Sequence, residues 1–211
     1  MTDRDAAGPD WDARYAAAPP EGLFGGAPNL WLRMALAREG APGTALFVAD
    51  GDGRNGRFAA LRGAAVTGLD LSAEATRRAE AADRAAGATV ARVAADLTLW
   101  DPGARRWELC ALLHLQGPAA LRRAGLALCA RAAAPGGTVL LEGFAVLEGR
   151  AIAGPGVTRP AARWRLAETL DWAAAEGLDP VEALEGTVSL DEGAAHQGAA
   201  QVVRLILKRK T

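Results

Sequence analysis

Short apolar runs, each stopped by a glycine turn or an acid and followed by an alanine-rich polar stretch, recur along the middle of the chain. ALFVA (45–49) runs straight into glycines, and the residues from Asn55 to Leu61 have helical character. AAVTGL (64–69) ends on Asp70, and Ser72 stands where a helix N-cap would, ahead of an Ala/Arg/Glu-rich helix to about Ala86. ATVARVAA (88–95) is closed by Asp96 and Leu97; Leu109 to Leu113 is another strand, followed by a helix through Ala130, a break at Pro135, Gly136 and Gly137, and the strand TVLLEGF (138–144). Such uninterrupted apolar runs suit strands buried on both faces, and their alternation with helices predicts a parallel sheet covered on both sides. Farther on, VEALEGTVSL (181–190) and AQVVRLILK (200–208) are strand-like, and the Gly/Pro-rich residues 148 to 163 form a connection after the fifth strand.

The chemistry gathers where these strands end. In VADGDGRNG (48–56), Gly51 and Gly53 let a ligand approach the backbone, and Asp70 at the end of the next strand can bind both ribose hydroxyls. Gly51, Gly53 and Gly56 satisfy GxGxxG, which taken alone reads as a dinucleotide site. Asp50 and Asp52 in the same loop would repel a pyrophosphate and suit a cation. S-Adenosylmethionine, with a sulfonium, an ammonium and no phosphate, fits that charge better, and Asp96 with the backbone N–H of Leu97 can meet adenine.

These segments, WDARYAA, LFGGAPNLWL, GDGRN, VTGLDLS, AADLTLW, LHL, APGGTVLLEGF and LDEGAAHQGAAQVVRLILK, in this order and spacing, resemble the class I S-adenosylmethionine-dependent methyltransferases. The likeness is to the small bacterial branch related to tellurite-resistance and thiopurine methyltransferases. It implies an α/β fold with a doubly wound, mostly parallel seven-stranded sheet, Rossmann-like, whose antiparallel last strand is inserted beside the fifth. It implies one domain over 1–211: a helical lid segment (1–43), a cofactor-binding core (44–144), and a substrate-side loop, helix and strand hairpin (145–211). The cofactor residues implied are Asp50, Gly51, Asp52, Gly53, Asn55, Asp70, Leu71, Asp96 and Leu97, with S-adenosylhomocysteine as product. The chain departs from the pattern at Phe47 and Ala49, where relatives carry an acid and a glycine; in WELCALLHL, which is shorter than expected; and at Gln197, where some relatives carry arginine.

The acceptor side follows from topology. With 181–190 a parallel sixth strand and 200–208 an antiparallel seventh, the hairpin DEGAAHQGA turns at the sheet edge where ligands sit, bringing Glu192 and His196 to the methyl group, with His114 just beyond the fourth strand. Either histidine is a candidate general base, since free imidazole titrates near neutrality. Trp11, Tyr15, Phe24 and Trp31 precede the first strand and are candidate lid residues, with Trp11 and Tyr15 on one helix face; Trp107, Trp164 and Trp172 read as packing. The implied reaction is in-line methyl transfer to a small molecule, favouring a soft nucleophile such as a thiol, selenium or tellurium species. An NAD(P)-binding oxidoreductase and a catalytically inactive nucleoside-binding sensor are the alternatives.

Composition narrows the partners. The 211 residues are half hydrophobic, enough for one good core but not for a separate substrate domain, and the formal net charge of −1 with a lone basic run, KRK, gives no reason to expect nucleic acid. A polar, acidic start and the lack of a long apolar stretch lead to an expectation of a cytoplasmic protein without membrane contact, monomeric or homodimeric. Cys110 and Cys129 read as reduced core residues, and no metal-ligand spacing is present, so no metal is expected.

Overall fold

The computed structural model describes residues 9 to 193 and 195 to 211; most of the polar N-terminal stretch read above lies outside them. Two short helices come first, α1 (Trp11–Ala16) and α2 (Leu30–Glu39), capped by the side chains of Asp10 and Asn29, which accept from Ala13 N and Leu32 N. Then β1 (Thr44–Val48), α3 (Arg54–Ala60), β2 (Ala65–Asp70), α4 (Ala73–Ala86), β3 (Val90–Ala94), β4 (Trp107–Leu113), α5 (Ala119–Ala132) and β5 (Ala133–Phe144) alternate as the apolar runs require. After a loop and one 3-10 turn come α6 (Leu166–Ala175), β6 (Leu178–Asp191) and β7 (Gln197–Arg209). Ser72 caps α4 as expected, accepting from Ala75 N, and Gly87 ends it in the left-handed region.

The seven strands lie in the order β3-β2-β1-β4-β5-β7-β6. The first five pair in parallel, and β7 runs antiparallel between β5 and β6, so β6 is parallel to β5. This is the doubly wound, mostly parallel sheet of the class I methyltransferase fold. One expectation changes: Pro135 to Gly137 do not precede the fifth strand but lie within β5 as a bulge, since Trp107 pairs with Ala133 and Leu109 with Thr138 across the same two strands.

The core lies on both faces of the sheet. Leu46, Val48, Cys110, Leu112, Leu126, Cys129, Leu141, Trp164 and Leu205 pack on one side, and Trp31, Leu32, Phe47, Ala111, Leu140 and Ile206 on the other. Phe47, in the place of the usual acid, is fully buried in the second cluster, so that position serves packing. Trp164 is also fully buried, with its indole N–H donated to Leu115 O at 2.8 Å. Cys110 and Cys129 are free and buried; burial pushes the Cys129 thiol up to about 12 and Cys110 well above its ordinary range, so neither ionises near neutral pH.

Candidate functional site

In a sheet wound this way the C-terminal ends of the parallel strands form one edge, and the loops leaving them converge there. The β1 loop is held from below. The Asp50 carboxylate faces inward and pairs with Arg92 at 2.5 Å, while Arg92 also reaches Asp83 at 2.8 Å and Gly53 O at 3.1 Å. Both Asp50 and Arg92 are almost fully buried side chains. Burial pushes the Asp50 carboxyl up, to about 6, against the pull of the Arg92 charge and the Gly56 N–H. Burial alone would lower Arg92, but Asp50 and Asp83 hold it above its ordinary value.

This corrects the expectation that Asp50 faces the ligand. Its charge is spent on Arg92, so it neither repels a pyrophosphate nor attracts a sulfonium, and the charge argument rests on Asp52 alone. Asp52 accepts from Leu23 N at 3.1 Å and is itself buried, anchoring the chain between α1 and α2. The glycines change meaning too. A Cβ on Gly53 would lie 2.3 Å from Arg92 Nη2, and one on Gly56 would lie 2.5 Å from Asp50 Oδ2, so these positions are open for the buried ion pair rather than for a ligand. Asn55 likewise turns its side-chain oxygen to Asn29 N, at 2.8 Å.

Gly51 is the glycine that faces the edge. Its N–H donates to Asp70 Oδ2 at 2.7 Å, and Asp70 Oδ1 accepts from Ser72 N at 2.9 Å, so loop and strand-end acid are one unit. Burial raises the Asp70 carboxyl while the two N–H groups pull it down. Directly over Gly51 stands Tyr15: a Cβ there would lie 2.3 Å from its hydroxyl. Burial and the charges of Asp70, Asp52 and Asp50 push the Tyr15 phenol far above its ordinary range, keeping it a neutral donor. The α1 segment is pinned to α4, with Asp12 accepting from Ser72 Oγ at 2.5 Å and Glu74 N at 3.0 Å. Trp11 stacks beside Tyr15, ring centroids 6.0 Å apart. Asp96 accepts from Thr98 N and Oγ1, both at 2.8 Å through Oδ1, leaving Oδ2 for another donor; Leu97 is half-buried beside it and Leu71 is exposed.

The ends of β4, β5 and the β6–β7 hairpin carry a second cluster. His114 Nε2 lies 2.9 Å from Glu142 Oε1, and Glu142 Oε2 accepts from Arg204 Nε. Asn29 Nδ2 donates to Glu142 at 2.7 Å and to Glu192 at 3.0 Å, and Glu192 Oε2 pairs with Arg54 at 2.5 Å. His196 stacks on Phe24 (centroids 4.4 Å), on His114 (4.6 Å) and edge-on to Phe144 (5.1 Å). Trp31 lies outside this contact set, buried in the core with Arg204 over its ring. The sequence expectation that His114, Glu192 and His196 share this edge agrees with the geometry.

Ligand atoms of His114, Glu192 and His196 lie within 4.8 Å of one another, spacing a metal ion could use. Glu192 is already taken up by Arg54, Asn29 and Leu30 N, and two carboxylates here face two guanidiniums. The arrangement is a charge-balanced hydrogen-bond network. Glu142, Asn29, Arg54, Arg204 and Arg92 were not singled out from the sequence. Glu142 had a visible signal, a carboxylate inside the apolar run TVLLEGF; the others carry none until their partners are placed.

Burial depresses the His196 imidazole to about 2, helped by the His114 and Arg54 charges. The unfolded chain therefore takes up a proton below about 6.5 that the folded one refuses, so this contribution to stability is present above that pH and lost as pH falls. His196→Gln is expected to flatten the loss of stability between pH 8 and pH 5 by about 2 kcal/mol relative to the parent. Urea denaturation of both proteins at the two pH values checks it; parallel losses would mean that His196 titrates normally.

Two strand ends have non-glycine residues in the left-handed region, Ala49 (φ 57) and His114 (φ 59). Ala49, at the position where the resemblance implies glycine, is held at a φ only glycine adopts freely, at a cost of about 1–2 kcal/mol.

No family model matches the chain, and no curated protein matches it. Solved structures match over nearly its full length. One, described for conversion of a disulfide bond into a thioacetal group during echinomycin biosynthesis, has a TM-score of 0.74 at 22% identity, covering 95% of this chain and 90% of that one. TehB from Haemophilus influenzae has a TM-score of 0.68 at 12% identity, over 85% of this chain and 61% of its own. Magnesium protoporphyrin IX methyltransferase from Synechocystis PCC 6803, with bound S-adenosylmethionine, has 0.63 at 16%, over 85% and 76%. The chain therefore has the fold of the class I S-adenosylmethionine-dependent methyltransferases.

Proposed function

We propose that the protein transfers a methyl group from S-adenosylmethionine to a small molecule. The observation that carries this reading is the meeting of two half-sites at one sheet edge. Gly51, Asp70, Asp96 and Leu97 lie at or just beyond the ends of the first three strands, with backbone and carboxylates of the kind that suits an adenosine. His114, Glu142, Glu192 and His196 end the others, with polar groups enclosed by Phe24 and Phe144. The fold alone would not choose a reaction.

In this reading the ribose hydroxyls meet Asp70, the adenine amine meets Asp96, and the methionine part lies on Gly51. A molecule there takes the space that the Tyr15 hydroxyl fills, so α1 shifts to admit it. The protein's part in the chemistry is orientation and exclusion of water, because the sulfonium is already activated. Cofactor, acceptor and a cytoplasmic monomer or homodimer are all part of this proposal, with a thiol or another soft nucleophile favoured by the resemblance to tellurite-resistance and thiopurine methyltransferases. No helix among the described residues is long and apolar enough to cross a membrane.

Calorimetry with S-adenosylmethionine, S-adenosylhomocysteine and NADH tests the reading. The first two are expected to bind and compete, and Asp70→Ala to weaken both about 10- to 150-fold, the equivalent of one charged hydrogen bond. Saturable NADH binding that S-adenosylhomocysteine does not displace would move the protein to the oxidoreductases.

A further inference from the structure

Glu142 has no part in holding a cofactor, yet it is the most completely enclosed carboxylate of the cluster, fully buried in β5. We propose that Glu142 is a positioning residue that fixes the Nε2–H tautomer of His114, leaving Nδ1 bare to take the proton of a small neutral acceptor bearing an S–H or O–H group. This deepens the methyl-transfer reading and rests on it.

The tautomer follows from the contacts. Glu142 Oε1 can only accept from His114 Nε2 at 2.9 Å, so that nitrogen carries the hydrogen. The other neighbours do not compete: Asn29 Nδ2, 3.4 Å from Nε2, gives its hydrogens to Glu142 and Glu192, and its oxygen is fixed by Leu32 N at 3.0 Å. Glu142 itself is kept ionised. Burial pushes it up, but His114, Arg204 and Asn29 outweigh that and hold it at about 2. His114 Nδ1 is buried and has no hydrogen-bond partner among the described residues, and the same holds for His196 Nδ1. An enclosed bare nitrogen, beside a second imidazole nitrogen without a partner and on a residue held in the left-handed backbone region, is what a site awaiting a hydrogen donor looks like. Among the described residues, the charged and titratable groups around His114 are Glu142 and Arg204 from the sheet, Glu192 and His196 from the hairpin, with Asn29 and Arg54 from the helical side.

The step balances without another reagent. The acceptor's sulfur or oxygen lone pair forms the bond to the methyl carbon as the carbon–sulfonium bond breaks, its electron pair returning to sulfur to leave the neutral thioether. The acceptor's proton passes to Nδ1, the imidazolium faces the Glu142 carboxylate, and the proton then leaves to solvent.

The chain has only two histidines, so its imidazole nitrogens can be read one by one. In 15N-histidine spectra of the full chain without cofactor, with His196→Gln used for assignment, His114 is expected as the Nε2–H tautomer at pH 8. In Glu142→Leu the two tautomers are expected to mix. An Nδ1–H tautomer in the parent protein would overturn the proposal whether or not the variant folds, and an unmixed Nε2–H tautomer in a folded Glu142→Leu would overturn Glu142's role. In single-turnover transfer, Glu142→Gln is expected to slow neutral thiols and alcohols on the order of 10²-fold and to spare thiols already ionised at the assay pH. Equal slowing of both classes would make Glu142 merely structural. Failure to bind S-adenosylmethionine would defeat the methyl-transfer reading instead, and the spectra would still decide the tautomer.

Discussion

Arg92→Met is expected to lose about 3–5 kcal/mol of stability, the cost of stranding a buried charge. The guanidinium occupies the space that glycine at 53 and 68 leaves open, bridging the β1 loop to α4 through Asp50 and Asp83. With it gone, Asp50 is left fully enclosed with only the Gly56 N–H, at 3.3 Å, to offset its charge. Asp50 would then take up a proton or unfold the loop; without the Arg92 charge that pulls it down, its carboxyl rises beyond the value of about 6 it has in the pair, so the deficit should shrink as pH falls from 8 toward 6, where the variant alone takes up the proton. The sign is that of a carboxyl raised in the folded state: protonation favours folding as pH falls through the folded value toward the unfolded one. Urea denaturation at pH 8 and pH 5, with Arg92→Met, Asp50→Asn and the double variant, measures this. The double variant should recover part of the loss because no lone charge remains. A single variant within 1 kcal/mol of the parent, well below the expected deficit, would mean that the triad contributes nothing at this position.

The second large effect concerns transfer. His114→Gln is expected to slow single-turnover methyl transfer to neutral thiols by about 10²–10⁴-fold, the usual worth of a positioned proton acceptor. Binding of S-adenosylhomocysteine should be unchanged, because the proposed adenosine contacts, Gly51, Asp70 and Asp96, lie at the ends of other strands. His196→Gln should have a smaller effect: His196 stacks against the same space, but no carboxylate lies within hydrogen-bond reach of its ring among the described residues to stabilise an imidazolium. Rates across pH 6 to 9 with labelled cofactor decide it. If His114→Gln transfers as fast as the parent on every accepted thiol, the base lies elsewhere and His196 becomes the first place to look.

The contrast between Asp50 and Asp70 shows how far local sequence carries. Both are acids near the ends of successive strands, and the glycine loop made each look like part of a ligand shell. Asp70 stays at the sheet edge, accepting from Gly51 N and Ser72 N. Asp50 turns away because its partner, Arg92, lies 42 residues farther along, in a strand that reads simply as another apolar run with one arginine. In the same way Phe47 and Ala49 look like defects in a motif, whereas the first is a core residue and the second fills a left-handed position.

The order of strands and helices in the core, the N-cap at Ser72 and the edge where the hairpin turns were legible in the chain, though not the start of β5 ahead of Pro135, since apolar period, caps and turns depend on residues within a few positions of each other. The partners of the site were not. Arg54 meets Glu192 across 138 residues, and Asn29 meets Glu142 across 113. Only closure of the sheet, with β7 inserted between β5 and β6, brings those groups to hydrogen-bond distance. A buried charge needs a specific counter-charge, and which one it finds depends on distance in space, a quantity that local pattern does not encode.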